Sequence, residues 1–228
     1  MNRRAGAAPV THTGRARRLS RRALALLACV AVVSGAALVG RHLYLRTKAA
    51  AAAVLIDRAW THALDDGQPH RPWPWADFTP IARIEVRRLG IDRPVLSDAG
   101  GRTMAFGLGH LIGSARPGGP GLSVVGGHRD TWAAFLADVQ RGDSIVVRTL
   151  DGGRRYRVDA TIVVDQHAAR LPAATAVAVS AAAPGIDPAT GADRLVLVTC
   201  WPFGSVRRGP LRYVVSCVAE TPAASRGR

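Results

Sequence analysis

The chain has 228 residues and a formal net charge of +15, from 31 Lys+Arg against 16 Asp+Glu. Such an excess of cations suggests nucleic acid or an anionic membrane surface as partner, while 48% apolar residues exclude a wholly disordered chain. The length accommodates one domain with an appendage, and the composition excludes collagen-like and coiled-coil classes.

The charge is unevenly placed. Residues 1–22 hold seven arginines and no acid, and residues 23–40 carry no charge at all. As a helix that apolar run is about 27 Å long, close to the thickness of a bilayer's hydrocarbon core. Leu43, Tyr44 and Leu45 extend it, and three cations follow at Arg41, Arg46 and Lys48. Residues 49–225 then hold 19 cations against all 16 acids, a net charge of only +3. A nucleic-acid-binding domain keeps a dense basic face of its own, so no nucleic acid is expected as partner. The expected partner is instead the cytoplasmic membrane. Residues 1–22 read as a basic cytoplasmic segment and residues 23–45 as a single-pass transmembrane signal anchor. The body then lies on the extracytoplasmic face, periplasmic or outer. A cleaved signal peptide, using Ser34-Gly35-Ala36 or the alanine run 49–53, is the alternative. Ser20-Arg21-Arg22 resembles a twin-arginine signal only faintly.

Residues 46–72 read as a helical stalk and a Pro-rich linker. The helix covers residues 49–64, stops at Asp65-Asp66-Gly67, and cannot resume through Pro69, Pro72 and Pro74. In the stiff segment 71–77, RPWPWAD, both tryptophans are expected to pack on the domain. From residue 81 onward short β-type runs alternate with turns, at 81–86, 90–96, 122–128, 144–149, 154–165, 194–200 and 211–218. Only residues 131–140 read as a short helix. The pattern predicts a mainly β domain, a small barrel or sandwich, over residues 73–219, with a flexible tail at 220–228.

The body has two cysteines, Cys200 and Cys217, besides Cys29 in the apolar segment. Cys200 ends the run Leu195-Val196-Leu197-Val198-Thr199, and alternation puts Val196, Val198 and Cys200 on one face. In the last strand Arg212, Val214 and Ser216 share a face, opposite to Leu211, Tyr213, Val215 and Cys217. If these strands pair as antiparallel neighbours, Arg212 lies near Cys200. Cys217 is then five residues further on, about 16 Å away, facing the other way. That is too far for a disulfide, and Cys217 reads as a small core residue.

A thiol becomes a good nucleophile as the thiolate, which a nearby cation or imidazolium favours. His128, at the end of VVGGH, is the best-placed partner, since Gly126 and Gly127 before it permit close backbone approach. Spacing alone leaves open whether Cys200, His128 and Arg212 form a triplet or are unrelated. His110, in a Gly-rich loop, reads as solvent-exposed, with lining of the cleft as the other reading. Arg207, Arg208 and His167 read as unconnected with chemistry. The cysteines lack metal-ligand spacing, and the aspartates of residues 98–165 are scattered, so no metal, calcium or other cofactor is expected.

The segments GGHRDT (residues 126–131), LVLVTC (195–200) and LRYVV (211–215) resemble, in that order, the signature segments of sortases, the membrane-anchored cysteine transpeptidases. WPWAD (73–77), GHLIGSARPG (109–118), VTCWPF (198–203) and GPLRYVV (209–215) bring the resemblance closest to the class GN proteobacterial type. The resemblance implies a closed eight-stranded β-barrel with short helices, preceded here by the transmembrane helix. It implies cleavage of a protein at a C-terminal LPXTG-like sorting signal through a thioacyl-enzyme, and transfer of the acyl group to an amine acceptor. By motif position Cys200 is the nucleophile, His128 the general acid/base, and Arg212 the cation that holds the substrate backbone and the oxyanion. Thr199 and His110 are further candidates for substrate binding, although alternation points Thr199 away from Cys200. A non-catalytic exported β-domain that binds a protein or peptide in the same groove is the reading from a different functional class.

Overall fold

The computed structural model describes residues 21–166, 193–205, 207 and 209–220. His167, Arg208 and the last eight residues lie outside them. One helix, α1, runs unbroken over Arg21–Asp66, where two separate segments were expected. Leu43, Leu45 and Arg46 before Lys48 and the alanine run 49–53 after it favour helix, so nothing stops it between them.

Residues up to Lys48 and residues from Ala49 onward form two compact units. In the first, residues 23–40 of α1 are apolar on all sides, with Leu26, Val32 and Val33 exposed. It is long and apolar enough to cross a membrane. In the second, Ala52, Ile56, Ala59, Trp60 and Ala63 are buried. Their 3–4 residue spacing makes one stripe along the helix. Ile56 packs with Phe78 and Leu96, flanked by Trp73 and Phe106, and Asp57 accepts a 2.6 Å bond from Arg83. The helix closes on Gly67, whose φ of 72° lets its N–H reach the Ala63 carbonyl at 3.0 Å. Asp66 accepts from the Gln68 N–H at 2.9 Å and meets His70 Nε2 at 2.7 Å. Trp73 packs as expected, but Trp75 does not: it is 82% exposed, because Pro74 turns it away from the Trp73–Phe78–Phe106 cluster.

Eight strands close a barrel: β1 (Pro80–Val86), β2 (Ile91–Leu96), β3 (Leu108–His110), β4 (Leu122–Gly126), β5 (Ser144–Thr149), β6 (Gly152–Asp165), β7 (Arg194–Cys200) and β8 (Leu211–Ala219). Their order around the barrel is β1-β2-β3-β4-β7-β8-β6-β5. All pairs are antiparallel except β2·β3 and β4·β7. Inward residues such as Ile84, Val147, Tyr156, Leu197 and Val215 make one core. The expected helix at 131–140 is a short 3-10 turn, Ala134–Asp138, whose Phe135 and Leu136 fill the same core.

The strand that sequence periodicity overlooks is β3. Its three residues, Leu108-Gly109-His110, are all buried, and a run that short carries no alternation to recognise. His110 is consequently not a solvent-exposed loop residue. It is 8% exposed, and its Nε2–H donates to the Ala115 carbonyl at 3.0 Å, beside Ser114 Oγ at 3.1 Å. Burial demands a partner for the ring, and the turn after β3 provides it.

Candidate active site

The β7–β8 hairpin builds the centre of the site. Antiparallel register runs from Arg194↔Val218 to Cys200↔Arg212, so cysteine and arginine are direct cross-strand partners. Facing side chains at such a pair lie side by side on one face. That face is the outside of the barrel. Val196 and Val214 are buried there with Val124, next to Val198 and Val164. At the far end Arg194 Nη1 binds Asp159 Oδ2 and Ser216 Oγ, both at 2.9 Å, which pins the start of β7 to β6 and β8. The strip is thus polar at both ends and apolar between, with Cys200 and Arg212 at one end.

The inner face carries the other members of both strands. Leu195, Leu197, Val215 and Cys217 belong to the barrel core. Cys217 pairs with Leu195, five residues from Cys200, and all three cysteines among the described residues are free thiols. Cys217 is fully buried, and that burial pushes its thiol well above the ordinary range. Cys200 by contrast is only partly buried.

The parallel pairing of β4 with β7 delivers His128. Gly126 stands opposite Val198, and the Gly127 N–H donates to the Val198 carbonyl at 3.1 Å. Two residues beyond this pair on each chain are His128 and Cys200. Gly127 has to be glycine, because a Cβ there would stand 2.7 Å from Leu108 Cδ2 and 2.9 Å from Ala133 Cβ. The strand ends at Gly126 rather than 128 because the His128 carbonyl accepts the N–H groups of Thr131 (3.2 Å) and Ala133 (3.0 Å), which turns the chain. His128 itself is exposed on a fixed backbone.

Thr199 supports that backbone from beneath. It is 2% exposed, and its hydroxyl donates to the Gly127 carbonyl at 2.8 Å. Its side chain therefore lies on the core side, as alternation requires, one peptide before His128.

Sequence reasoning passed over two supporting residues. Arg129 is only 7% exposed, and its Nη2 donates to the Ser205 carbonyl and, at 3.0 Å, to that of Arg207. A buried cation beside His128 thus grips the loop between β7 and β8. Its place directly after the histidine was the available signal. Gln166, just past β6, accepts from Arg212 Nη2, and nothing in its sequence context marks it. Arg212 Nη1 also donates to the Gly209 and Leu211 carbonyls, each at 2.9 Å. Within the hairpin loop Trp201 stacks on Tyr213 at 5.6 Å between centroids, and Phe203 meets Tyr213 edge-on at 5.2 Å.

Residues 84–220 match the family model of the sortase domain. The chain belongs to the sortase family. Sortase D of Bacillus subtilis (strain 168) is 24% identical over 132 residues, covering 58% of this chain and 60% of the relative. The chain therefore spans three fifths of that relative's length. Among solved structures, a lid mutant of sortase A from Corynebacterium diphtheriae superposes with a TM-score of 0.52 at 27% identity, over 67% of this chain and 76% of that one. Sortase C2 of pilus island 1 from group B Streptococcus has a TM-score of 0.50 at 23% identity, over 62% and 74% of the two chains, and shares the fold. The closed eight-stranded barrel is the fold of this family.

Proposed function

We propose that the chain is a membrane-anchored cysteine transpeptidase with Cys200 as nucleophile, His128 as general acid/base and Arg212 as oxyanion cation. The observation that carries this reading is the register in which Cys200 stands opposite Arg212 on β8 and level with the continuation of β4 at His128. The substrate is a protein with a C-terminal LPXTG-like signal. Its extended backbone crosses the outer strip of valines on β4, β7 and β8, with the scissile carbonyl beside Cys200.

The Cys200 thiolate attacks the threonine carbonyl carbon, its electron pair forming the S–C bond while the C=O π pair moves onto the oxygen. A guanidinium stabilises the resulting oxyanion by charge-assisted hydrogen bonds. Collapse of the intermediate breaks the C–N bond, and imidazolium at His128 gives its proton to the departing amine. An acceptor amine then loses a proton to His128 as it attacks the thioacyl carbon, and the Cys200 thiolate leaves. In this scheme Thr199 acts through the Gly127 carbonyl to hold His128 in place, and His110 braces the end of β3. Neither touches substrate.

Residues 23–45 form the anchor, with the arginine-rich residues 1–22 in the cytoplasm and the domain of residues 73–219 on the extracytoplasmic side. The concentration of arginines before the apolar run supports this orientation. Residues 46–72 connect the two.

The test is cleavage of an LPXTG-like peptide by the full chain, with an amine added as acceptor. The wild type should yield the amine-ligated product and a mass adduct on Cys200, and Cys200→Ala should yield neither. Turnover by Cys200→Ala defeats the reading. Failure of a thiol reagent to label Cys200 faster than a model thiol favours a non-catalytic binding domain.

A further inference from the structure

Arg212 lies between two strands on the outer face of the barrel. On one side its cross-strand neighbour is Cys200; on the other, β6 places Val164 directly opposite. Gln166 is two residues past Val164, so it shares that face and stands diagonally to Arg212. Its backbone is fixed there, since the Gln166 N–H donates to the Pro210 carbonyl at 3.0 Å. Its side-chain oxygen accepts from Arg212 Nη2. The guanidinium is thus held through Nη1 by the Gly209 and Leu211 carbonyls and through Nη2 by the Gln166 amide. All three acceptors are neutral. Among the described residues no carboxylate is set against Arg212, although carboxylates take up Arg83, Arg88, Arg148, Arg154 and Arg194 in other parts of the domain.

The distinction has a chemical consequence. A carboxylate would orient a guanidinium well but would cancel its charge at the point where an anion has to be stabilised. A neutral amide oxygen orients it and leaves the positive charge whole. We propose that Gln166 is a positioning residue for Arg212, a neutral tether that fixes the guanidinium on the outer face from the strand opposite Cys200 without neutralising it. The inference rests on the role given to Arg212 above. It adds that the residue at 166 must accept a hydrogen bond and must be uncharged.

The experiment uses the full chain in detergent and compares the wild type with Gln166→Met, Gln166→Glu and Arg212→Met. Two readouts are taken: kcat and KM for an LPXTG-like peptide, and the rates at which an anionic sulfonatoethyl and a cationic trimethylammonioethyl methanethiosulfonate label Cys200. Peptide mapping separates Cys200 from Cys29, and labelling at buried Cys217 reports any unfolded fraction, so that rates refer to folded protein. A positive charge held beside Cys200 favours the anionic reagent. Arg212→Met should lower the anionic-to-cationic rate ratio about tenfold, the size expected for unit charges at a partly solvated site. Gln166→Met should lower the ratio several-fold and kcat about tenfold through misplacement, with KM changed less than kcat. Gln166→Glu should lower both further, because the new carboxylate neutralises the cation. Wild-type ratio and kcat in both Gln166 variants, alongside a collapsed ratio in Arg212→Met, overturn the tether. So does a Gln166→Glu variant at least as active as wild type, since a purely structural acceptor tolerates charge. An unchanged ratio and kcat in Arg212→Met instead overturn the reading of Arg212 itself.

Discussion

Cys200 and Arg212 are direct cross-strand partners at the loop end of the β7–β8 hairpin, and the same register places Cys217 opposite Leu195 on the inner face. One pairing therefore settles two matters. It joins a thiol to a guanidinium on the outer surface, and it separates the two body cysteines by five residues and by the thickness of the sheet. Eleven residues lie between the paired Cys200 and Arg212, held by the Trp201 N–H to the Leu211 carbonyl at 3.0 Å and by the stacking of Trp201 on Tyr213.

Arg212→Ala should lower kcat on an LPXTG-like peptide by about 10²–10³, the usual cost of removing one oxyanion donor. Arg212→Lys should recover only part of that loss, because an ammonium lacks the planar fork that binds an oxyanion and a backbone carbonyl together. Steady-state kinetics with both variants checks the order wild type, Lys, Ala. Full activity in Arg212→Ala would remove the arginine from the chemistry.

Thr199→Val leaves the buried Gly127 carbonyl without its hydroxyl partner at nearly unchanged volume. The expected cost is about 1–2 kcal/mol of stability, together with a fall in kcat as the segment bearing His128 loosens. Thr199→Ser keeps the donor and should restore both. Thermal unfolding and kinetics on the two variants check this, and equal behaviour of Val and Ser would mean the bond does nothing.

Arg129→Met takes away the guanidinium that binds the Ser205 and Arg207 carbonyls. Bonds from a charged donor contribute about 1.5–3 kcal/mol each. Part of that should survive here, because Arg129 Nη1 is itself buried without a partner and methionine relieves that penalty. The loss should appear locally, as faster amide hydrogen exchange over residues 201–207, with little change at β1, β2 and β5. Uniform acceleration across the barrel would indicate a general lesion instead.

The buried Cys217 thiol ties stability to alkaline pH. Unfolded, it ionises near the ordinary value of 9.0; folded, desolvation keeps it protonated well above that. Above about pH 9 the unfolded state therefore binds fewer protons than the folded one, and stability falls as pH rises, by at most about 1.4 kcal/mol per unit. Its contribution is fully present below that range. Tyr156, also raised mainly by burial, acts with the same sign above its ordinary 10.0. Denaturant unfolding between pH 8 and 10.5 should show a shallower decline in Cys217→Ala than in wild type. Peptide cleavage at neutral pH should be nearly unaffected by that substitution, since Cys217 lies on the core side.

Much of this protein is fixed by local pattern. Alternation alone marked residues 194–200 as a strand, sorted Val196, Val198 and Cys200 from Leu195, Leu197 and Thr199, and turned Cys217 away from Cys200. The partition of charge likewise set the apolar run of residues 23–40 apart from a nearly neutral body. These features depend on neighbours two to four residues apart, so a single chain displays them. The parallel pairing of β4 with β7 depends on no such neighbour. Gly126 and Val198 are brought together by closure of the barrel, which must satisfy every strand edge and bury one core. The same closure creates β3, buries His110, seats Arg129 against the loop at Ser205, and sets Gln166 beside Arg212. Side chains whose partners lie tens of residues away acquire their roles only when the sheet closes. Local pattern thus specified the strand that carries Cys200 and the face it occupies, and closure of the barrel set what surrounds it.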